Sequence, residues 1–229
     1  MSPPNTPRIV AIVAAHNEEP TIARAVKALL ELRGMAEVIV AADGSTDRTA
    51  EVALEAGARV LAARVRAGKG HAVEAAIERT SPADVYLLVD GDVGDTASGT
   101  EVLLDEVLAG RLDLAIGRLP PMKGGGFGLV RGVARWLIRL LTGFEAKEPL
   151  SGQRAVRRDV LEACRPLADG FGMEVGMTID AVRLSFRVGE VPVDMSHRVT
   201  GRDLGGFAHR ARQGLDILRA ALPRAMRMR

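Results

Sequence analysis

From residue 8 to residue 117 the chain alternates short apolar runs with stretches of helical pattern. Arg8 to Ala15, Glu37 to Ala42, Arg59 to Ala62, Val85 to Val89 and Leu112 to Gly117 read as strands. Pro20 to Arg33, a helix capped by Ser45 or Thr46 and ending near Ala56, Gly70 to Thr80, and Thr100 to Ala109 read as helices. Such alternation implies an α/β fold whose mostly parallel, Rossmann-like sheet is covered by helices on both faces. Sheets of this kind bind ligands outside the carboxyl ends of their strands. Three polar clusters fall at those ends: His16 to Glu19, Asp43 to Asp47, and Asp90 to Asp95. Their shared position says more than any one of them.

The second half reads differently. Pro120 to Gly128 is a Pro/Gly-rich loop, and Leu129 to Leu141 a basic, apolar helix. Pro149 to Arg154 reads as a turn, Arg158 to Cys164 and Met173 to Phe186 as helices, and Val188 to Val193 as a strand. Asp203 onward reads as a long helix interrupted around Pro223. With 229 residues, these pieces suit a single domain with three parts: 8–118, 119–206 and a basic C-terminal helix at 207–229.

Composition excludes some functions. A net charge of +2 and an aromatic share of 3% argue against a nucleic-acid binder, which needs basic surface and stacking rings. Cys164 stands alone, so no internal disulfide forms and a cytoplasmic setting is expected. The first residues lack the basic and apolar regions of a signal peptide, and no apolar stretch is long enough to span a bilayer.

Asp90 and Asp92 sit one residue apart where an apolar run ends. A carboxylate pair there is poor core material but a good oxygen ligand set for Mg²⁺ or Mn²⁺, ions that usually arrive with substrate phosphates. Asp43 is a strong acceptor for a base or ribose, although Asp, Gly and Ser also favour turns and caps. Arg66-Ala67-Gly68-Lys69-Gly70 is not a Walker A loop, since Gly70 stands where Ser or Thr is required, yet Lys69 remains a candidate phosphate contact. Gly124-Gly125-Gly126-Phe127-Gly128 fails the dinucleotide fingerprint because it opens no βαβ unit. Glu18, Glu19 and Glu174 near helix starts have a plain helix-dipole explanation. Arg131, Arg135 and Arg139 recur every four residues, forming either a solvated stripe or a contact with anionic lipid. The terminal arginines read as a frayed tail or a second membrane-surface contact.

In order, Val13-Ala14-Ala15-His16-Asn17-Glu18-Glu19, Asp43-Gly44-Ser45-Thr46-Asp47-Arg48-Thr49, Gly68-Lys69-Gly70 and Asp90-Gly91-Asp92 resemble a GT-A-fold glycosyltransferase close to family 2. The resemblance covers Ile9 to about Arg212. It implies that Ala14, His16, Glu18 and Asp43 line a nucleoside pocket and that Lys69 stands near the donor. It also implies that Asp90 and Asp92 bind donor ribose and metal. Gly143, Pro149, Ser151-Gly152-Gln153-Arg154-Ala155 and Arg157-Arg158 look like polyprenyl-phosphate sugar synthases of the dolichyl-phosphate mannose type, with Gln153 in place of their usual Phe. Gly170-Phe171-Gly172-Met173-Glu174-Val175-Gly176, Ile179-Asp180 and His197-Arg198 look like glucosyl-3-phosphoglycerate synthases. There the Glu174 match would hold the donor sugar, and the His197 match would complete the metal site. The Gly-Arg-Val-Thr acceptor loop of those synthases is replaced by 124–128, which has no guanidinium for a small charged acceptor.

The expected function is metal-dependent hexosyl transfer from a UDP- or GDP-linked sugar to a phosphate-bearing acceptor, either a small molecule or a polyprenyl phosphate. Asp92 and His197 would hold Mg²⁺ or Mn²⁺. Arg154 would meet the acceptor or the diphosphate. A homodimer and a peripheral contact with the inner face of an anionic membrane are compatible additions. One alternative is a nucleotidyltransferase of the same superfold, which wants a glycine-rich basic loop where this chain has His16-Asn17-Glu18-Glu19. Another is a degenerate, basic membrane-binding scaffold, against which the retained Asp90 and Asp92 weigh.

Overall fold

The computed structural model describes residues 6–120, 128–170, 172–195 and 216–225. The first half alternates as the sequence pattern requires. The elements are β1 (Ile9–Ala15), α1 (Glu19–Leu30), β2 (Met35–Asp43), α2 (Thr49–Glu55), β3 (Arg59–Ala63), α3 (Lys69–Glu78), β4 (Val85–Asp90), α4 (Glu101–Leu108) and β5 (Leu114–Arg118). Then follow α5 (Gly128–Thr142), β6 (Arg154–Arg157), α6 (Arg158–Ala163), α7 (Gly172–Arg183), β7 (Val188–Pro192) and a helical segment, α8, at 216–225.

The strands form one seven-stranded sheet in the order β3-β2-β1-β4-β6-β5-β7. β6 runs antiparallel to both β4 and β5, and the other pairings are parallel. The stretches before and after residue 118 therefore share a single sheet. β1 is buried throughout except at Ala14, which explains why its sequence is apolar at nearly every position. Side chains alternate across the pleat. Ile9, Ala11, Val13 and Ala15 pack with Ile22, Val26 and Leu29 of α1 and Leu103 of α4. Val10 and Ile12 face Val73 of α3, Val160 of α6 and Met173 of α7. A third cluster joins Val130, Ala134 and Ile138 of α5 to Val175 and Ile179 of α7 and to Ile217 and Ala221 of α8.

Three local expectations are corrected. Ser45 and Thr46 do not cap α2, which starts at Thr49; they bond instead to Asn17, Ser45 Oγ accepting its N–H and Thr46 N donating to its Oδ1. Gly91–Thr100 is a 3₁₀ stretch, kinked at Gly94, that leads directly into α4. Arg154 opens β6 rather than closing a turn, because the segment pairs with two strands remote in sequence. Of the expected terminal helix, 203–215 and 226–229 lie outside the described residues; within 216–225 the helix runs on through Pro223 and is packed, with Ile217, Ala220 and Ala221 buried.

Candidate active site

Register places the polar clusters side by side. Ala14 pairs with Asp90 and Ala15 with Ala42, so the ends of β1, β2 and β4 meet at one rim. The first two loops on this rim are bonded to each other. Asn17 takes a left-handed conformation (φ 58°), which Asn tolerates better than most residues, and this aims its amide at Thr46. Glu18 N–H donates to Thr49 Oγ1 at 2.8 Å, and Glu19 Oε2 accepts Arg48 N–H at 3.1 Å. His16 Nδ1 meets the Asp43 carbonyl at 2.8 Å, which requires the proton on Nδ1.

Asp43 is buried, and its two oxygens accept the N–H groups of Ala67 and Gly68 at 2.7 and 2.8 Å. It thus shapes the loop that carries Lys69. Gly44 (φ 63°) makes room for that loop, since a Cβ there would lie 2.6 Å from Arg66 N.

Beside this rim opens a cleft of about 1010 Å³ whose lining includes Ala14, Glu18, Lys69, Asp90, Asp92 and Glu174. His16 and Asp43 lie outside that lining, behind the loops they fix. Lys69 opens α3 and bridges two parts of the chain: Nζ lies 2.5 Å from Asp90 Oδ1 and 2.7 Å from Glu174 Oε1. Burial alone would pull the Lys69 ammonium down, but the charges and hydrogen bonds of Asp90 and Glu174 outweigh it and hold the group above the usual lysine range. Lys69 is therefore fully charged near neutrality.

Gln153 is a site residue that sequence reading missed. Its side-chain N–H donates to Asp90 Oδ2 at 3.0 Å, and its carbonyl accepts Asp90 N–H at 3.2 Å. Both Asp90 oxygens are thus engaged, one by Lys69 and one by Gln153. Gly152 leaves the space this needs, since a Cβ there would overlap both Asp90 and Lys69. The sequence signal was present only as an amide where the polyprenyl-phosphate sugar synthases it resembles usually carry Phe.

Arg154 does not reach the cleft. It is fully buried, with Nε donating to the Ser151 carbonyl at 2.9 Å and Nη1 to Thr178 Oγ1 at 3.1 Å. Thr178 in turn donates to the Glu174 carbonyl at 2.8 Å. Burial pulls the Arg154 guanidinium down to about 10, against the opposing charge of Glu174, so it stays cationic. The expected contact with acceptor or diphosphate is replaced by support of the helix that carries Glu174. Glu174 itself is 1% exposed, and its Oε2 has no hydrogen-bond partner among the described residues. His197 and the 124–126 glycines lie outside the described residues.

A model of glycosyl transferase family 2 matches residues 10–163. The chain belongs to that family. Among family relatives, Glycosyltransferase AglJ of Haloferax volcanii is 32% identical over 204 residues, covering 86% of this chain and 66% of AglJ. The chain thus spans just under two thirds of that protein's length. Dolichyl-phosphate hexose transferase of Haloferax volcanii is 26% identical over 230 residues, 96% of each chain. Glucosyl-3-phosphoglycerate synthase of Mycobacterium tuberculosis, solved with Mn²⁺, UDP-glucose and phosphoglyceric acid, superposes with a TM-score of 0.77 at 29% identity, over 94% of this chain and 80% of the other. The sheet is accordingly that of the GT-A fold.

The cleft's donor set fits a divalent ion. Asp92 offers a hard oxygen ligand, Asp90, whose oxygens take Lys69 and Gln153, stands alongside it, and no group of three His, Cys, Asp or Glu gathers as a closed cage among the described residues. Mg²⁺ and similar ions need only one or two carboxylates when substrate phosphates and water supply the rest.

Proposed function

We propose that the protein transfers a hexose from a nucleoside diphosphate sugar, UDP- or GDP-linked, to an acceptor bearing a phosphate, with Mg²⁺ or Mn²⁺ as cofactor. The observation that carries this reading is the gathering of Glu18, Lys69, Asp90, Asp92 and Glu174 in one cleft at the carboxyl ends of β1 and β4. Asp92 would hold the metal, with His197 as its candidate second ligand and Asp90 alongside. A bound divalent ion stabilises the charge that develops on the departing diphosphate. Lys69 adds a fixed cation at the same rim. Ala14 and Glu18 line the nucleoside end of the cleft, while His16 and Asp43 hold its loops. Glu174 offers its unpartnered Oε2 to a sugar hydroxyl, whose hydrogen bond would satisfy it. An acceptor that is already an ionised phosphate needs no strong general base.

Relatives and neighbours support this reading: among them are a dolichyl-phosphate hexose transferase and a glucosyl-3-phosphoglycerate synthase solved with UDP and Mg²⁺ as well as with Mn²⁺. Turnover of UDP-glucose and of GDP-mannose, with Mg²⁺, Mn²⁺ or chelator, tests it. Metal-dependent consumption that Asp92→Ala lowers at least about 100-fold is expected. Equal consumption in the variant and the parent would overturn it.

A membrane-facing acceptor has one observation in its favour. On α5, Leu129, Trp136 and Leu140 are exposed at 82%, 60% and 59%. Exposed Arg135 lies beside them, while Arg131 pairs with Glu148 at 3.1 Å and Arg139 with Glu145 at 3.6 Å. Apolar and cationic groups on one helix face suit the surface of an anionic bilayer. Flotation with phosphatidylglycerol vesicles should carry the protein upward and Trp136→Glu should stop it; no flotation of the parent would remove this reading.

A further inference from the structure

Two of the cations lining the cleft pair with no other described residue. Lys69 is held by Asp90 and Glu174, and Arg224 makes a two-pronged pair with Asp180, Nε lying 2.8 Å from each carboxylate oxygen. Arg66 and Arg219 are exposed, line the same cleft, and make no hydrogen bond or ion pair among the described residues. Guanidinium groups on a cleft wall raise the local concentration of anions.

Both sit on built mounts. α8 lies along a glycine seam of α7. A Cβ on Gly172 would come within 2.8 Å of the Asp216 carbonyl and 2.9 Å of the Ala220 Cβ, and a Cβ on Gly176 within 2.9 Å of the Arg224 guanidinium. Positions 216, 220 and 224 form one helical stripe, matched by glycines four apart on α7. Ile217 and Ala221, on the adjoining stripe, are buried with α5 and α7. Arg183 Nη1 donates to the Arg224 carbonyl at 2.5 Å, and the Arg224–Asp180 pair fixes the helix's rotation. With two faces so occupied, Arg219 emerges at the edge of the 216/220/224 stripe and enters the cleft lining. Arg66 comes from the β3–α3 loop, whose next two amides are gripped by Asp43.

We propose that Arg219 and Arg66 form an anion subsite that takes the phosphate group of the acceptor, an inference that rests on the glycosyl-transfer reading above. A guanidinium presents paired N–H groups that match phosphate oxygens, which a lone ammonium does not. Arg219 rides on the α7 side, with Glu174, rather than on the β1/β4 rim where Asp92 would hold the metal that serves the donor. The subsite also supplies what the 124–128 loop lacks in its sequence, a guanidinium for a charged acceptor.

The test is calorimetric titration of the UDP- and Mn²⁺-loaded protein with phosphoglyceric acid and, separately, with a polyprenyl phosphate in detergent, for the parent, Arg219→Ala, Arg66→Ala and Arg219→Lys. UDP is titrated into the same variants, and thermal melts check that each remains folded. Phosphate binding should weaken about tenfold or more in each alanine variant, recover in part with lysine, and leave UDP affinity within about twofold. Whichever arm binds identifies the small or the lipid phosphate. Unchanged phosphate binding in the variants, an equal loss of UDP affinity, or a parent that binds UDP but neither phosphate would each overturn the subsite. A parent that fails to bind UDP sinks the nucleotide-sugar reading instead; the phosphate titrations, run without UDP, then still judge the arginines.

Discussion

At the ends of β1 and β2 the polar residues bond to one another's loops: Asn17 to Ser45 and Thr46, Glu19 to Arg48, Asp43 to Ala67 and Gly68. On the α7 side the polar residues are fewer, deeper and held by partners far along the chain: Glu174 by Lys69, Arg154 by Thr178, Arg224 by Asp180. The first region is a rim of interlocked turns that shapes a pocket. The second is a buried charge network that sets which groups face it. The two regions meet at Lys69, which opens α3 and reaches both Asp90 and Glu174.

Breaking that joint should have the largest effect. Lys69→Met leaves Asp90 and the buried Glu174 without their shared cation, and losing one partner of a buried ion pair costs about 3 kcal/mol or more. Urea denaturation should show that loss, and Lys69→Met combined with Glu174→Gln should recover part of it because the repelling pair is gone. Additive losses would mean that the two regions are not coupled there.

Gln153 sharpens the comparison, since it belongs to the second half but acts on the rim. Gln153→Leu strips both its hydrogen bonds from Asp90, at a cost of about 1–3 kcal/mol. In transition-state stabilisation this corresponds to roughly a 10- to 100-fold drop in kcat. KM for the donor should change far less, and Gln153→Asn should not rescue, its amide being one methylene too short. A drop in melting temperature with kcat intact would make Gln153 purely structural.

How much of this was legible follows the same divide. β1, β2 and β4 are apolar runs closed by polar or acidic residues, and the motif residues stand within a few positions of those strand ends. The place of Asp90, Asp92 and Lys69 in the cleft lining could therefore be anticipated from sequence. β6 is four residues, Arg154–Arg157, with an arginine at each end, so nothing local marks it as a strand between two others. Gln153 acts on a residue 63 positions away, and Arg154, expected to meet the acceptor or the diphosphate, is completely buried by the fold. The glycines at 172 and 176 matched a family pattern, but their packing role shows only once α8 lies on them.

The smallest effect lies away from both regions. Hydrogen bonds from Arg187 hold the Asp113 carboxyl down to about 2, with burial working the other way. A carboxylate whose folded pKa is depressed stabilises the native state above its unfolded value. That contribution fades as pH falls from about 4 towards about 2. Asp113→Asn should flatten the acid-unfolding curve in that window while leaving UDP binding unchanged. An unchanged curve would remove Asp113 as an acid-sensitive tie between β5 and the Arg187 turn.

The central claim is that the rim binds a nucleoside diphosphate through a metal held at Asp92. UDP titrated into the parent and into Asp92→Asn, with Mn²⁺ and with chelator, tests it without needing the acceptor. Tight binding only in the parent with Mn²⁺, weakened about 10- to 100-fold by either the substitution or the chelator, is predicted. Equal UDP affinity under all four conditions would contradict it.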